Sequence, residues 1–322
     1  MPSEMYIKVR ALLYNILIVL LCPLIVTVFA LKYLYETFIK KNELKNIAGE
    51  VAVVTGAAGG LGKCIAVELA AKGCHVAICD INYALAESTA KEIASKYGVT
   101  AKAYQVDVTK NKDIEELNEK LTKDIGAATI LVNNAGILLH SDPFNPRVED
   151  LQLMVNVNFM SHFLTNRVFM KNMKEAKRGH IVAISSVSGL VILPFSEPYC
   201  SCKTGVRTLM RSLRAELMIE NMKYIDCTTV FPYFLDTHGT VKQLAADSGF
   251  ADVYPALKGE EVAKRVVQGM LRREVEITIP GLMMLTYRLV GLLPAKAQDW
   301  LLYMWCSNIS SYSRVIQALK KE

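Results

Sequence analysis

The sequence predicts an α/β protein with one parallel β-sheet of about seven strands and helices on both faces. Two observations carry this prediction. From residue 50 onward, short runs rich in β-branched residues alternate with longer stretches of 3.6-residue periodicity. A glycine-rich turn, TGAAGGLG, follows the first run and opens the first helical stretch. This order is typical of doubly wound, Rossmann-like sheets.

The predicted strands come first. They are residues 50–55, 74–79, 101–106, 129–134, 180–185, 224–230 and 275–279. The first helix is expected from Leu61 to Lys72. A later stretch, DIEELNEKLTKDI, places Ile114, Leu117 and Leu121 on one face with charges opposite, as a helix covering a sheet does.

Length and composition limit the class of protein. The chain has 322 residues, of which 52% are hydrophobic and 21% charged, so it can bury one large core with attachments. Its 37 basic residues exceed its 31 acidic ones only mildly, and no dense Lys/Arg run contains aromatics. This balance argues against nucleic-acid binding.

The eight cysteines predict neither a metal site nor a disulfide framework. They form no CxxC pair and lack the His spacing that zinc requires. Reduced thiols in a domain that faces the cytosol are the simpler interpretation. Cys200 and Cys202 lie two apart in a predicted helix, so their side chains point in different directions and should not bridge.

The N-terminal region, residues 1–46, is predicted to be a membrane anchor followed by a basic linker. Residues 11–31 carry no charge and are long enough to cross about 30 Å of hydrocarbon as a helix. A cleaved signal peptide is the alternative, although the run exceeds a usual signal core of about 7 to 15 residues. Pro23 would also permit a hairpin that dips into one leaflet, as a lipid-droplet surface requires.

The charged residues around this run predict its orientation. Lys8 and Arg10 precede it, whereas four lysines follow it between residues 32 and 45. The more basic side is expected in the cytosol, so the catalytic domain, residues 47–280, should face the cytosol.

The C-terminal segment, residues 281–322, begins with an apolar stretch interrupted by Arg288, Pro294, Lys296 and Asp299. This pattern predicts an amphipathic segment rather than a span. It leaves two interpretations open, a helix lying on a membrane surface or a helix covering the domain's own core or a dimer partner.

The glycine-rich turn predicts a dinucleotide site. Gly56, Gly60, Leu61 and Gly62 lie where a strand ends and a helix begins, so backbone N–H groups can approach a pyrophosphate. Asp80 ends the second strand, where a carboxylate can accept hydrogen bonds from an adenosine ribose and repel the 2′-phosphate of NADP. NAD is therefore the expected cofactor, with an ordinary turn acid as the alternative explanation of Asp80.

Six motifs in order give the chain a family resemblance. They are TGAAGGLG, Asp107-Val108, NNAG at 133–136, Asn158, Ser186 in SSVSG, and YCSCK at 199–203. Over about residues 48–280 the chain resembles a short-chain dehydrogenase/reductase. The apolar leader, Asp80 and the apolar tail resemble the membrane-associated retinol and 17-beta-hydroxysteroid dehydrogenase branch.

Tyr199 and Lys203 carry the expected chemistry because they lie one helical turn apart on the same face. A phenol with a pKa near 10 is a poor base at neutral pH. The Lys203 ammonium and an oxidised nicotinamide would together lower that pKa, so that Tyr199 could exchange a proton with the substrate alcohol. No lone histidine is needed, and His238 is expected to be solvated or structural.

The resemblance assigns further roles. Ser186 would orient the reacting oxygen, and Asn158 would hold a water that links Lys203 to solvent, with a helix-bending amide as the alternative. Tyr199 and Lys203 would also contact the cofactor. Asn133, Gly136 and Asp107 would line its adenine and ribose side, with ordinary turn chemistry as the alternative.

Two further regions follow the sixth strand. Pro232 and Thr237 match family positions that meet the nicotinamide carboxamide, but Tyr233 replaces the family's glycine and adds bulk there. Residues 238–258 correspond to a lid over the substrate.

The sequence therefore predicts a membrane-associated oxidoreductase that transfers hydride between NAD and a lipophilic alcohol or ketone, such as a retinoid, steroid or fatty alcohol. A homodimer at the endoplasmic reticulum or a lipid droplet is expected by resemblance. The alternatives are a membrane or droplet scaffold with little turnover and an NADPH-dependent carbonyl reductase.

Overall fold

The computed structural model describes residues 4–35, 44–139, 145–194, 196–237 and 255–308. The chain divides into two units, Met1–Leu44 and Lys45–Glu322. The second unit begins at Lys45, two residues before the predicted boundary. The Lys45 N–H donates to Leu271 O at 2.9 Å and its Nζ donates to Gly179 O at 3.0 Å, so this residue belongs to the globular unit.

The first unit contains one long helix, α1 (Glu4–Leu34), which continues through Pro23. The Thr27 hydroxyl donates to Pro23 O at 2.8 Å, so the turn that follows the proline stays helical. In the part of the chain that the structure describes, one helix, Glu4–Lys32, is long and apolar enough to cross a membrane. The alternative of a hairpin at Pro23 is not seen, because α1 does not reverse there.

The second unit is built on seven parallel strands, as predicted. They are β1 (Val51–Thr55), β2 (His75–Asp80), β3 (Ala101–Gln105), β4 (Ile130–Asn133), β5 (Gly179–Ile184), β6 (Ile225–Pro232) and β7 (Glu276–Ile279). Their order in the sheet is β3-β2-β1-β4-β5-β6-β7, and every pair is parallel. Each boundary lies within two residues of the one expected.

Helices cover both faces of this sheet. In chain order they are α2 (Gly60–Ala70), α3 (Tyr83–Tyr97), α4 (Asn111–Asp124), α5 (Val148–Val155), α6 (Ser161–Glu175), α7 (Glu197–Ile219), α8 (Gly259–Leu271), α9 (Leu282–Val290) and α10 (Ala295–Asn308). A π-helical turn, Asn156–Met160, joins α5 to α6, and a short 3-10 turn, Val187–Gly189, follows β5.

Alternating side chains of each strand enter two separate cores. Ala52 and Val54 of β1 pack with α2, α3 and α8, whereas Val51 and Val53 pack with α4, α6 and α7. Residues on both faces of a strand must then be apolar, which explains the continuous hydrophobic runs in the sequence. The predicted face of α4 is confirmed, since Ile114, Leu117 and Leu121 are its buried residues.

The sheet order reverses between β1 and β4, because the chain moves outward to β3 and then returns to the other side of β1. Since all the strands are parallel, their carboxyl ends share one edge, and sheets of this topology bind ligands at the point where the strand order reverses. We call this edge the catalytic edge; most of the predicted site residues follow strands that end there, and the others come from the π-helical turn and α7.

The C-terminal segment belongs to the second unit at least through α9. Arg207 of α7 donates to the hydroxyl of Tyr287 at 2.7 Å and pairs with Glu276 of β7 at 2.9 Å. These contacts tie α9 to α7 and β7, and the domain division at residue 281 stays a prediction. The seven cysteines whose side chains are described, including Cys200 and Cys202, are free thiols.

Candidate active site

The glycine-rich turn after β1 is closely packed. Gly56 and Gly60 have φ angles of +62° and +55°, which favour glycine. A Cβ atom on Gly62 would lie 2.2 Å from Gly56 O, so a larger residue there would displace the turn. No side chain caps α2 at Gly59. The N–H groups of the first α2 turn, including that of Leu61, are therefore suited to an anionic group such as a diphosphate.

Asn134 connects this turn to the loop that follows β4. Its Nδ2 donates to Thr55 O and to Gly56 O, both at 3.0 Å. The N–H groups of Asn134 and Ala135 donate to the Thr55 hydroxyl at 3.0 and 3.1 Å. The NNAG motif thus holds the glycine-rich turn in place, a role that the sequence did not reveal.

Asp80 ends β2 beside the same turn. One carboxylate oxygen accepts the Ala58 N–H and the other accepts the Asn82 N–H, each at 3.0 Å. The carboxylate is half-buried, and each of its oxygens keeps further acceptor capacity. It lies where a ribose hydroxyl could donate to it, and its negative charge would oppose a 2′-phosphate.

Asp107 and Asn133 make mainly internal contacts. The Asp107 carboxylate accepts from the Thr109 N–H and hydroxyl and pairs with Lys110 at 3.1 Å. Burial acts to raise the pKa of Asp107, but the hydrogen bonds from Thr109 and Lys110 together hold it below its usual value. The buried Asn133 amide bonds Thr165 and Asn166 of α6. Contact of these two residues with a cofactor stays a prediction, and for Asn133 it would use backbone atoms.

Ser186, Tyr199 and Lys203 converge beyond the end of β5. Lys203 Nζ lies 5.5 Å from the centre of the Tyr199 ring and donates to Ile184 O at 3.1 Å. The Ser186 hydroxyl lies within hydrogen-bonding reach of the Tyr199 phenol. A serine, a tyrosine and a lysine from two elements thus share one small region at the catalytic edge.

The neighbouring serines make other contacts. Ser185 donates to Lys203 O at 2.8 Å and is buried, so it fixes α7 against β5. Ser188 donates its N–H to the Ser186 hydroxyl oxygen at 3.1 Å. Of these three serines, Ser186 is the one that lies within hydrogen-bonding reach of Tyr199.

The electrostatics of the isolated chain differ from the sequence prediction. Burial raises the pKa of Tyr199 to about 12, and the hydrogen bond from Ser186 opposes that shift. Burial also lowers the pKa of Lys203 to about 8. The chain alone does not lower the phenol pKa, because burial destabilises the phenolate more than the nearby groups stabilise it. The predicted shift therefore requires the additional positive charge of an oxidised nicotinamide.

Asn158 lies in the π-helical turn, where helices frequently carry functional residues. It is fully buried, and its side chain contacts the loop after β4 through Ile137. A Cβ atom on Gly136 would lie 3.0 Å from Asn158 Oδ1 and 3.4 Å from Lys203 Nζ. Gly136 thus lets the loop pass directly over both side chains. A water held by Asn158 stays a prediction, and the helix-bending alternative matches its position.

His162 was not identified from the sequence. It follows Asn158 by one helical turn, is 1% exposed, and has no hydrogen-bond partner for either ring nitrogen among the described residues. Burial and the nearby Lys203 charge lower its pKa to about 3, so the imidazole is neutral. A histidine on an amphipathic helix gives no sequence signal that distinguishes it from a core residue.

The residues after β6 form the other side of the site. Pro232 ends β6, and the Tyr233 N–H donates to Ile279 O at 2.9 Å. Tyr233 is buried against Val187, the residue after Ser186. Thr237 reaches the start of α8, where a Cβ on Gly259 would meet its Cγ2 at 2.5 Å. His238 and most of the expected lid lie outside the described residues.

Comparison with known proteins accounts for this arrangement. The sequence pattern of the short chain dehydrogenase family matches residues 50–248. The chain is 32% identical over 284 residues to human 17-beta-hydroxysteroid dehydrogenase 13, covering 88% of this chain and 92% of the relative. The chain belongs to the short-chain dehydrogenase family.

Other relatives place this short-chain dehydrogenase in the retinol and steroid branch. It is 31% identical over 283 residues to mouse estradiol 17-beta-dehydrogenase 11, covering 88% of this chain and 92% of the relative. Human epidermal retinol dehydrogenase 2 is 29% identical over 252 residues, with coverage of 78% and 81%. The protein is thus an oxidoreductase of this family, as predicted.

Solved structures support the fold. A short chain dehydrogenase/reductase from Burkholderia phymatum in complex with NAD aligns with a TM-score of 0.69 at 23% identity, covering 77% of this chain and 95% of that one. L-sorbose reductase from Gluconobacter frateurii, complexed with NADPH, gives 0.67 at 23% identity, with coverage of 74% and 98%. One neighbour holds NAD and the other NADPH, so the short-chain dehydrogenase fold accommodates either.

Proposed function

We propose that this short-chain dehydrogenase is a membrane-associated enzyme that transfers hydride between NAD and a lipophilic alcohol or ketone of the retinoid, steroid or fatty-alcohol class. The observation that carries the proposal is the convergence of Ser186, Tyr199 and Lys203 beyond β5.

The residues of the chain divide the chemistry as follows. The Ser186 hydroxyl donates to the reacting oxygen and holds it beside the phenol. Tyr199 accepts the alcohol proton in oxidation and returns it in reduction. Lys203 supplies a positive charge behind the phenol, and Asn158 keeps the loop at Gly136 closed over it. The bound nicotinamide supplies the hydride acceptor and the second positive charge.

NAD is proposed over NADP on the basis of Asp80. Its carboxylate is held beside the glycine-rich turn by the Ala58 N–H, so it cannot easily turn away. A ribose with free hydroxyls could donate to it, whereas a 2′-phosphate would place two negative groups together.

A lipophilic substrate is supported by the walls of the site and by the relatives. Val187 and Tyr233 form a small buried cluster, to which partly buried apolar side chains add. Those side chains are Leu193, Phe234, Leu257 and Met283. The similar proteins are named for steroids and retinol. The substitution of a tyrosine for the family's glycine thus adds to an apolar wall.

We further propose that α1 anchors the enzyme in the endoplasmic reticulum membrane, with the catalytic domain in the cytosol. A continuous helix of 31 residues is about 46 Å long, which exceeds the hydrocarbon thickness. That form favours a bilayer over a lipid-droplet monolayer. Dimerisation of two catalytic domains is proposed from the family resemblance.

The test is cofactor reduction by the detergent-solubilised full chain, with NAD and NADP compared across retinol, steroid and long-chain alcohols. Tyr199→Phe should lose at least a thousandfold in kcat while still binding cofactor. Tyr224→Phe is the control, since Tyr224 precedes β6 at the opposite edge of the sheet. Cofactor binding without Tyr199-dependent turnover on any alcohol would favour a scaffold role instead.

A further inference from the structure

Helix α9 has one face fixed to the catalytic edge. Met283 packs on the cluster of Val187 and Tyr233, and Val187 directly follows Ser186. One turn further along, the Tyr287 hydroxyl accepts from Arg207 at 2.7 Å, and the guanidinium lies 4.9 Å from the centre of the Tyr287 ring. The Met283 end of α9 therefore lies beside the residue that follows Ser186, while Tyr287 ties the helix, through Arg207, to the start of β7.

The opposite face of α9 is a row of exposed leucines. Leu282, Leu285, Leu289 and Leu292 are spaced by three, four and three residues, so they line one side of the helix and its C-terminal turn. Between 53% and 80% of each side chain is exposed. A helix with its inner face already packed does not need such a row for folding, so the row indicates an external apolar partner.

The charged and aromatic neighbours identify that partner as lipid. Arg288 lies between two leucines of the row and Lys296 follows it, and neither forms an ion pair among the described residues. Trp300 and Tyr303 are also exposed, at 59% and 70%. Basic side chains beside leucines and aromatic rings are typical of a helix in the headgroup region of an anionic membrane.

A second copy of the chain is a weaker candidate for this row. A stable protein interface uses about 20 to 30 residues a side. The row offers three leucines on a nine-residue helix about 13 Å long and a fourth, Leu292, in the turn that follows. The row alone is too small for a dimer, whereas a leaflet needs no matching surface.

We propose that α9 is a lipid-contacting wall of the substrate pocket: its leucine row enters the membrane leaflet, and its Met283 face borders the site at Tyr233. The substrate then passes from the leaflet along α9 to the catalytic edge without crossing water. This inference rests on the proposed function, because it describes how the lipophilic substrate of that function reaches the site.

The first test detects lipid contact without using activity. In a full-length Cys22→Ser background, Leu285→Cys is labelled with an environment-sensitive fluorophore and mixed with vesicles of phosphatidylcholine and phosphatidylserine. Ile219→Cys, at an apolar position at the end of α7 that is more exposed than Leu285 (80% against 53%), is the control. We expect quenching by spin-labelled lipid at residue 285 and little at residue 219. Equal quenching at both positions, or shielding of residue 285 by a second copy without lipid, would overturn the proposal.

The second test concerns the route of the substrate. In Leu285→Ser/Leu289→Ser, kcat/KM for retinol dissolved in vesicles should fall about tenfold, while kcat/KM for retinol in detergent should stay within twofold. An equal fall in kcat/KM in vesicles and in detergent would mean that the leucine row acts through folding. An unchanged kcat/KM in vesicles would also reject the route through the leaflet. Failure of the proposed function is distinct, because wild-type turnover in detergent would then be absent.

Discussion

Asn158 and Ile137 are joined through both ends of one carboxamide. Asn158 Oδ1 accepts the Ile137 N–H at 3.0 Å, and Asn158 Nδ2 donates to Ile137 O at 2.8 Å. The pair fastens the loop after β4 to the π-helical turn between α5 and α6, directly beside Gly136 and Lys203. The shape of the catalytic edge thus depends on a side chain that can both donate and accept.

Asn158→Asp tests this pairing. The substituted carboxylate would keep the size of the side chain but could no longer donate to Ile137 O, and it would be fully buried. We expect a loss of about 2 kcal/mol in the free energy of unfolding, and a fall in turnover per folded molecule. Thermal unfolding and single-concentration kinetics would measure both.

Asn156→Asp provides the control for this substitution. Asn156 begins the same π-helical turn but is partly exposed. Its change should leave the unfolding free energy within about 0.5 kcal/mol of wild type. Equal destabilisation by the two substitutions would show that the turn is generally sensitive to charge, and that the Ile137 pairing has no special role.

The sequence was informative about features that follow from local hydrophobicity or from residue spacing. Apolar runs rich in β-branched residues located the central strands such as β1, β4 and β5, because strands buried on both faces must be apolar throughout. Tyr199 and Lys203 could be paired from their spacing alone, since residues four apart share a helix face.

The sequence was less informative about features that depend on tertiary contacts, such as the partners of a side chain or its pKa. It could not show that Asn133 turns its amide toward α6, that Asn134 holds the glycine-rich turn, or that His162 is buried near Lys203. Nor could it give the pKa of Tyr199, because that value depends on burial, and burial is a property of the folded chain. Tertiary contacts decide all of these points.

Gly62→Ala should disrupt the glycine-rich turn. The added Cβ would lie 2.2 Å from Gly56 O and 2.6 Å from Asn134 Nδ2, so the backbone must move. We expect a loss of about 1 to 3 kcal/mol in stability and at least tenfold weaker cofactor binding. Differential scanning fluorimetry with and without NAD would report both effects.

Gly59→Ala is matched to that change, three residues earlier in the same turn. Its Cβ would meet only Leu85 Cδ2, at 3.8 Å, an ordinary contact. Its φ of −152° also suits an alanine. Stability should therefore be nearly unchanged. If Gly62→Ala proved equally mild, close packing of the turn would not be the reason for its glycines.

Asp80→Asn should weaken discrimination between the cofactors. The amide oxygen can still accept the Ala58 N–H, but the charge that opposes a 2′-phosphate is gone. We expect the ratio of kcat/KM for NAD to that for NADP to fall at least tenfold. An unchanged ratio would count against Asp80 as the determinant and would revive the NADPH-dependent reductase alternative.

Lys203→Met should change how stability depends on pH. In the folded cofactor-free chain burial lowers the pKa of Lys203 to about 8, from 10.5 for an unperturbed lysine. Below pH 8 the lysine is protonated in both the folded and unfolded states, and the cost of burying its charge is constant. Between pH 8 and 10.5 the unfolded state binds more protons, so this group makes wild-type stability rise with pH.

The methionine variant lacks that contribution, so the stability of wild type relative to Lys203→Met should increase across this window by on the order of 3 kcal/mol. Urea unfolding of both proteins in detergent at pH 7.5, 9 and 10, followed by circular dichroism, measures the difference. Lys171→Met, at an exposed position on α6, should show no such trend. A flat difference for Lys203→Met would mean that the ammonium keeps access to water, and that burial does not set the charge behind Tyr199.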